Sequence, residues 1–345
     1  MNIAIVTVYQ PFSNYGSFLQ AYALKTFLES QGHNVKFIKT SSHLLSVLQL
    51  VAYPRPYRSY FQRIKKAIHS MLDLNRLSYT STADQRIDCF IWGSDEIWNV
   101  TNNFFCRPIF FGQNIDNVPK IGYAISVGHA TENDFTLNRA LTQGAKYYDK
   151  IFTRDLHSKL LLQKCFDIKT DIVVDPTLLI NVKELTQRIK CPSKKYILVY
   201  TYGIDKNMIS IVKKFAKKHQ LQIISPCFWH IWADKTIECS ALQFSTLIAN
   251  AEYVFTTTFH GAIFSLINHS RCCILPLREK VRNLCETLKC TSRLITSDTS
   301  YEEFETTISQ DFPTDVFEDN LARLRIASSN LIISELNRIQ NEKFS

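Results

Sequence analysis

The sequence lacks the marks of membrane-spanning, exported and disulfide-stabilised proteins. No stretch approaches the roughly 18 consecutive apolar residues of a membrane-spanning helix, and the first residues do not combine a basic leader with a long apolar run. We therefore expect a protein that is neither integral to a membrane nor exported through a signal peptide. The ten cysteines show no C-x-x-C spacing, which favours reduced thiols and a cytoplasmic location. We also expect no metal site and no bound cofactor.

Signatures of nucleic-acid-binding proteins are absent as well. The chain has no zinc-finger spacing, no RNP-like aromatic motif and no long block of lysine and arginine. Its 40 lysine and arginine residues against 31 aspartate and glutamate residues give a net charge of +9, which favours an anionic partner. We therefore predict phosphorylated small molecules or lipid head groups as partners, and no nucleic acid.

Glycine is scarce, with nine residues in 345, so its placement is informative. Five glycines lie in or beside turns that follow predicted strands, where the close approach of a ligand or a positive φ angle can require them. These are Gly16, Gly93, Gly122, Gly128 and Gly261. The turns predict the position of a ligand cleft.

Strands and helices alternate along the chain. A strand at residues 2–9, a helix at 17–31 and a strand at 35–38 form a βαβ unit, whose first turn lacks the G-x-G-x-x-G fingerprint of dinucleotide binding. The alternation restarts after a lysine-rich linker at residues 190–195. We predict an α/β fold in which two Rossmann-like βα domains face each other across a cleft, the layout of GT-B-type transferases. The predicted units are residues 1–188 (N-terminal domain, acceptor side), residues 195–312 (C-terminal domain, donor or anion site) and residues 316–343 (a terminal helix that folds back).

Residues 250–266 are predicted to form a strand, a tight turn and the start of a helix. Backbone N–H groups at a helix N-terminus carry partial positive charge, so this turn could hold a phosphate or carboxylate. His260 and the hydroxyls of Thr257 and Thr258 would lie beside that anion, and Gly261 would begin the helix. The alternative is that Thr258 caps the helix and His260 merely packs.

Polar residues also follow three strands of the first half of the chain. Because the carboxyl ends of parallel strands share one edge of a sheet, we expect these residues to lie close together. Carboxylates there could orient sugar hydroxyls and an indole could stack on a sugar ring; the alternative for Asp95 is that it only caps a helix. The residues are Asn14, Tyr15 and Gly16 after the first strand, Asp95, Glu96 and Trp98 after a second, and Arg154 after a third.

Residues 53–66 mix arginine and lysine with aromatic residues. A basic helix with interleaved aromatic side chains can lie on an anionic membrane surface. The alternative is the solvated face of a packed helix. Peripheral contact with the inner face of the membrane is therefore a prediction alongside the cytoplasmic location.

Six segments, in this order, resemble those of the polysaccharide pyruvyl transferase family. They are Asn14-Tyr-Gly-Ser-Phe-Leu-Gln-Ala-Tyr-Ala-Leu, Gly93-Ser-Asp-Glu-Ile-Trp-Asn, Tyr123-Ala-Ile-Ser-Val-Gly, Thr153-Arg-Asp with Ser158, Asp175-Pro-Thr-Leu-Leu and Thr258-Phe-His-Gly-Ala-Ile-Phe-Ser. The resemblance implies a GT-B-like fold. It also implies transfer of the enolpyruvyl unit of phosphoenolpyruvate to two hydroxyls of a sugar, which gives a cyclic ketal and releases phosphate. Phosphoenolpyruvate would be a co-substrate rather than a cofactor.

The resemblance also implies roles for the residues at the strand ends. The donor carries a phosphate and a carboxylate, which call for a helix N-terminus and fixed cations. We predict His260 and Asp95 as catalytic residues. The predicted donor-binding residues are Arg154, Thr257, Thr258, Gly261 and Arg282. The predicted acceptor-binding residues are Asn14, Tyr15, Gly16, Glu96 and Trp98.

One position departs from the family pattern. Characterised members often have arginine two residues before the motif histidine, where this chain has Thr258. Arg278, Lys280 or Arg282 could supply the lost charge, since they follow the next strand. The acceptor is expected to be a sugar, a lipid-linked oligosaccharide or a nucleotide sugar. Two rival functions are a GT-B glycosyltransferase that uses a nucleotide-sugar donor and a non-catalytic partner in glycan assembly.

Overall fold

Two parallel β-sheets frame the protein, which a computed structural model describes for residues 1–12, 14–40, 60–115 and 117–344. The strands of the first sheet are β1 (Asn2–Val6), β2 (Asn34–Ile38), β3 (Tyr79–Thr80), β4 (Cys89–Trp92), β5 (Lys120–Ile125), β6 (Lys150–Thr153) and β7 (Asp171–Ile172). They lie in the order β3-β2-β1-β4-β5-β6-β7, and neighbouring strands are parallel. All residues of β4 and β5 are buried, as expected for parallel strands covered on both faces.

The helices of the first half connect these strands. They are α1 (Tyr15–Ser30), α2 (Tyr60–Leu74), α3 (Glu132–Leu137), α4 (Arg139–Thr142) and α5 (Leu156–Phe166). The first strand ends at Val6, earlier than the sequence pattern predicts, and α1 begins two residues earlier than predicted. The cause is local, because the side chain of Asn14 accepts a hydrogen bond from the backbone N–H of Gly16 (2.8 Å) and so caps α1.

The second sheet is smaller. Its strands are β8 (Tyr196–Tyr200), β9 (Gln222–Pro226), β10 (Lys235–Ile237), β11 (Tyr253–Thr256) and β12 (Cys272–Ile274), all parallel in the order β10-β9-β8-β11-β12. Its helices are α6 (Lys206–Lys218), α7 (Ala241–Ala249), α8 (Phe259–Ile267), α9 (Glu279–Thr287) and α10 (Tyr301–Ser309). The predicted α/β class with two parallel βα units is confirmed.

The two halves share a hydrophobic core. Helix α1 packs against α7 and α8, and one apolar cluster continues from the first sheet through these helices into the second sheet. Phe18 of α1, Phe244 of α7 and Ile263 of α8 are buried members of this cluster. The packing places the N-terminus of α1 beside the N-terminus of α8, so the polar turns of both halves meet.

A long helix, α11 (Thr314–Phe344), folds back over both halves. The Arg325 side chain donates hydrogen bonds to the carbonyls of Leu178 (2.7 Å) and Ile180 (3.3 Å) in the first half. Asn320 donates to the carbonyl of Thr287 at the end of α9 (2.8 Å). The helix therefore ties the two halves together. Within the described residues, none of the helices is both long and apolar enough to cross a membrane.

We expect Arg325→Ala to lower the free energy of unfolding by about 1.5–3 kcal/mol, because it removes charge-assisted hydrogen bonds to two main-chain carbonyls. Chemical denaturation measures the change. The matched control is Arg323→Ala on the same helix, since the exposed Arg323 contacts the carbonyl of Asp319 within its own helix. Equal losses for both variants would show that the bridge to the first half contributes nothing.

Candidate functional site

The imidazole of His260 lies directly against the backbone of Gly16. A Cβ atom added to Gly16 would lie 2.0 Å from Nδ1 of His260, far inside van der Waals contact. Gly16 is the second residue of α1 and His260 the second residue of α8, so the contact joins the N-termini of two helices from different halves. A larger residue than glycine would displace the imidazole.

His260 is a buried, neutral imidazole. Its relative exposure is 5%, and Nε2 lies 3.8 Å from Oδ2 of Asp175 without a hydrogen-bond partner among the described residues. Burial lowers the pKa of His260, and the positive charges of Arg154 and Lys280 act in the same direction against the opposing effect of the Asp175 and Asp95 carboxylates. The imidazole is therefore neutral at pH 7.

Arg154 and Asp175 form a buried ion pair next to His260. Nη1 of Arg154 donates to Oδ2 of Asp175 (3.1 Å), while Nη2 lies 3.9 Å from Oδ1 of Asp95 and has no hydrogen-bond partner in the described part of the chain. The guanidinium carbon lies 4.5 Å from the centre of the Phe259 ring. Burial opposes the charge on Arg154, but Asp175, Asp95 and Glu96 together raise its pKa. The arginine is therefore a fixed cation.

Asp175 is held by its own turn. Asp175 caps a short helical turn after β7. Its Oδ1 accepts hydrogen bonds from the backbone N–H (3.1 Å) and the hydroxyl (2.7 Å) of Thr177. Burial alone would raise the pKa of Asp175, but His260 when protonated, the charge of Arg154 and the bonds from Thr177 lower it. Asp175 is consequently ionised. Although it belongs to a segment noted in the sequence, it was not predicted as a site residue.

Asp95 and Glu96 lie at the end of β4 and face the second half. The turn is tight, because a Cβ on Gly93 (φ 113°) would lie 2.1 Å from the carbonyl oxygen of Tyr123. Asp95 (φ 76°) accepts the backbone N–H of Glu96 (2.8 Å) with its carboxylate. Glu96 accepts a hydrogen bond from Lys280 (2.6 Å) across the cleft. Burial would raise the pKa of Glu96, but Lys280 lowers it to about 2.

Thr258 caps α8, and the hydroxyls of both Thr257 and Thr258 are engaged within the protein. Oγ1 of Thr258 accepts the backbone N–H of Gly261 (3.0 Å), and Oγ1 of Thr257 bonds to Oγ1 of Thr201 (2.7 Å). A Cβ on Gly261 would lie 2.1 Å from Oγ1 of Thr256. Thr258 and Gly261 therefore bond to each other within the helix cap, while Thr257 bonds to a neighbouring strand end, and donor binding by these three residues stays a prediction.

Two residues predicted to bind the acceptor lie in the protein interior. Tyr15 is fully buried and donates its hydroxyl to the carbonyl of Cys239 (2.9 Å), and Lys66 lies 3.6 Å from its ring centre. Trp98 is fully buried, donates Nε1 to the carbonyl of Phe110 (2.7 Å) and stacks on a neighbouring phenyl ring. Both rings lie in apolar cores, where burying a large aromatic surface is more favourable than exposing it to the cleft. The amide oxygen of Asn14 is engaged as the cap of α1.

Arg282 does not reach the site. Its exposed side chain lies 3.9 Å from the Glu279 carboxylate on the same helix, outside the cleft cavities. Lys280, two residues earlier on α9, turns into the cleft instead. Residues two positions apart point to opposite sides of a helix, so only one of these two cations can face the site.

Two adjoining cavities flank the Lys280 side chain. One, of about 320 Å³, has Arg154, Asp175 and Phe259 in its wall, together with apolar residues of α9 and α11. The other, of about 530 Å³, is lined mainly by residues with polar or charged side chains. The lining of this second cavity is Glu96, Ser126, Gly128, His129, Asp155, His157, Arg278, Glu279, Lys280 and Asn283. Among the described residues, no three histidine, cysteine or acidic side chains are placed to hold a metal ion.

The profile of the family described as polysaccharide pyruvyl transferase matches residues 14–276, most of the chain. No curated protein matches the sequence. The motif segments that resemble this family from the sequence alone therefore lie within the matched region.

Similar solved structures include UDP-GlcNAc 2-epimerases. The enzyme from Methanocaldococcus jannaschii has a TM-score of 0.56 at 14% identity, covering 98% of this chain and 100% of the other. The enzyme from Neisseria meningitidis has a TM-score of 0.53 at 16% identity, with the same coverage. The S. aureus MnaA structure has a TM-score of 0.52 at 14% identity, covering 97% of each chain. At such identities the likeness concerns the fold alone, and it confirms the predicted GT-B-like architecture.

We expect Gly16→Ala to lower the free energy of unfolding by about 1–3 kcal/mol, because the added methyl group overlaps the imidazole of His260. Combining it with His260→Ala should recover part of that loss, since the smaller side chain leaves room. Denaturant titration of the two single variants and the double variant measures the coupling. Gly203→Ala is the matched control, because its added Cβ would meet nothing within 4 Å. Strict additivity of the two changes would rule out the contact.

Proposed function

The chain belongs to the polysaccharide pyruvyl transferase family, and from this premise we propose that it transfers pyruvate from phosphoenolpyruvate to a sugar of a surface polysaccharide or its precursor. The product would be a cyclic ketal, with phosphate released. The observation that carries the proposal is the convergence of the matched segments, since Gly16 touches His260 and Asp175 binds Arg154 at one point of the cleft. The proposed location is the cytoplasm.

The donor would bind against Arg154 and His260. Nη2 of Arg154 and Nε2 of His260 are buried and have no hydrogen-bond partner in the described residues, an arrangement that is costly unless a ligand completes it. A phosphate oxygen could accept from both groups. Lys280 would supply the charge that an arginine at position 258 would otherwise provide, because this residue lines both cavities.

His260 would act as the acid. Neutral in the unliganded site, it would gain a proton when a phosphate dianion binds beside it, because a nearby negative charge raises the pKa of an imidazole. The imidazolium would protonate the vinyl carbon of the donor, creating an oxocarbenium-like centre at the neighbouring carbon. A sugar hydroxyl would attack that centre, and the second hydroxyl would then displace phosphate.

Asp95 would act as the base. Its carboxylate lies 3.9 Å from Nη2 of Arg154, so it borders the proposed phosphate position. It would accept the proton of the attacking hydroxyl, and the leaving phosphate would carry away the proton of the second. The adjoining cavity of about 530 Å³, which Glu96 borders, would hold the acceptor as a free sugar, a lipid-linked oligosaccharide or a nucleotide sugar.

A glycosyltransferase with a nucleotide-sugar donor is the second candidate. The observation that favours it is the likeness of the fold to the Neisseria meningitidis epimerase, whose structure is bound to UDP-GlcNAc. A non-catalytic role in glycan assembly is the third, and Thr258 in place of an arginine favours it. The same assay separates all three.

Helix α2 would provide peripheral membrane contact. Phe61, Ile68 and Leu72 have relative exposures of 64%, 54% and 54%, and the exposed Lys65 lies on the same side. Such a face suits the boundary of an anionic bilayer. Residues 53–59 of the predicted basic region lie outside the described residues. Lys66 is fully buried over the ring of Tyr15 and belongs to no surface.

Purified protein should release phosphate from phosphoenolpyruvate in the presence of a suitable sugar acceptor. We expect His260→Gln and Asp95→Asn each to lower kcat about 10²–10⁴-fold, the usual contribution of a general acid or base. Arg282→Gln is the control and should retain normal turnover, since its side chain lies outside the cavities. A panel of free sugars, lipid-linked oligosaccharides and nucleotide sugars supplies the acceptor arm.

Nucleotide release without any phosphoenolpyruvate consumption would favour the glycosyltransferase instead. Binding of an acceptor with no turnover of either donor would favour the assembly partner. Full activity of His260→Gln would overturn the assigned acid.

The protein should float with vesicles of phosphatidylglycerol at low salt. Phe61→Ser combined with Lys65→Glu should abolish flotation, because the first change removes apolar surface from the exposed face of α2 and the second replaces a positive charge with a negative one. Leu137→Ser is the control, as this leucine is exposed elsewhere in the first half. Flotation that survives the double change, or that fails for the unmodified protein, would exclude this face as a membrane contact.

A further inference from the structure

We propose that Asp175 is a positioning residue whose carboxylate holds Arg154 in place and favours the protonated form of His260 across the junction of the two halves. The inference rests on the proposed function for its purpose, since that reaction needs a fixed cation and a proton donor side by side. Its content, the coupling of three side chains, is a property of the unliganded protein.

The two oxygens of Asp175 have different partners. Oδ1 accepts both hydrogen bonds from Thr177 within the turn, which fixes the orientation of the carboxylate. Oδ2 is left to face the junction, where it accepts from Arg154 (3.1 Å) and lies 3.8 Å from Nε2 of His260. One oxygen therefore anchors the group and the other is shared between a cation and an imidazole.

The Oδ2 atom of Asp175 offsets the repulsion that would arise if His260 and Arg154 were both positively charged. An imidazolium at position 260 would adjoin the guanidinium of Arg154 in a site where both side chains are at least nine-tenths buried. Repulsion at such short range in a poorly solvated site disfavours protonation. The Asp175 carboxylate between them offsets the repulsion, so that both donors can face one bound oxyanion.

Arg154 donates only one hydrogen bond to Asp175. A bidentate arginine would use two N–H groups on the carboxylate, whereas here Nη1 binds Asp175 and Nη2 has no hydrogen-bond partner among the described residues. A purely structural pair would gain from satisfying both. The arrangement instead leaves Nη2 of Arg154 and Nε2 of His260 without a partner among the described residues, as potential donors.

Two carboxylates and two cations affect the pKa of His260. Asp175 and Asp95 favour its protonation, and Arg154 and Lys280 oppose it. Removing Asp175 or removing Arg154 should therefore move the titration of the imidazole in opposite directions. A turn-stabilising role for Asp175 predicts no such pair of effects.

The test follows the imidazole of His260 by NMR in protein labelled at histidine, without any substrate. The His260→Gln variant identifies its resonance among the nine histidines. We expect Asp175→Asn to lower the pKa of His260 and Arg154→Gln to raise it. Asp171→Asn is the matched control, because this carboxylate on β7 pairs with Lys150 on the surface and should leave the titration unchanged.

Turnover provides the second readout. Asp175→Asn should lower kcat about 10²-fold, as expected when reacting groups are misplaced by about an ångström. It should also move the basic limb of the kcat profile to lower pH, because the imidazolium of His260 loses its proton at lower pH without the Asp175 carboxylate. Binding of inorganic phosphate, followed by the His260 resonance, should weaken in the same variant.

The outcomes separate this inference from the proposed function. Opposite pKa changes in the two variants support the coupling even if phosphoenolpyruvate proves not to be the donor. An unchanged His260 titration in folded Asp175→Asn overturns it even if pyruvyl transfer is confirmed. If Asp175→Asn does not fold, Arg154→Gln decides, and a lowered or unchanged pKa of His260 in that variant overturns the proposal.

Discussion

The contact between the backbone of Gly16 and the imidazole of His260 restricts position 16 to glycine where the two halves of the protein meet. Glycine lets the N-termini of α1 and α8 approach until a side chain of one half rests on the main chain of the other. The apolar packing of α1 on α7 and α8 supports this approach from behind. Asp175 and Arg154 then complete the junction, since they are brought to His260 by strands that end at the same edge.

The fold and the turns of the site could be predicted from the sequence, but the direction of individual side chains could not. Strand and helix periodicity located the turns after β1, β4, β6 and β11. Within those turns Tyr15 and Trp98 face the core, while Gly16 and Asp95 face the cleft. Neighbouring positions carry equally suitable chemistry, so the sequence did not indicate which of them would face the cleft. Which of Arg282 and Lys280 faces the cleft could not be predicted for the same reason, because the rotation of α9 about its axis decides it.

The electrostatics of the cleft link anion binding to proton uptake. The cations at the junction already have carboxylate neighbours, with Arg154 beside Asp175 and Lys280 beside Glu96. An anionic ligand therefore adds negative charge to a site where Asp175, Asp95 and Glu96 already offset the two cations. His260, neutral in the unliganded protein, is the group there that can restore the balance by taking a proton. Under the proposed reaction, donor binding itself would generate the acid.

The position of α11 has a consequence for the order in which parts of the site form during synthesis. This helix follows every element that it covers, and its Ser328 accepts the backbone N–H of Val174 (3.0 Å), just before Asp175. Arg325 covers two carbonyls of the turn that follows. During synthesis on the ribosome the strands of both sheets emerge first, with these main-chain groups exposed to water. The wall of the smaller cavity, and with it the setting of Asp175, is completed only when α11 has been translated.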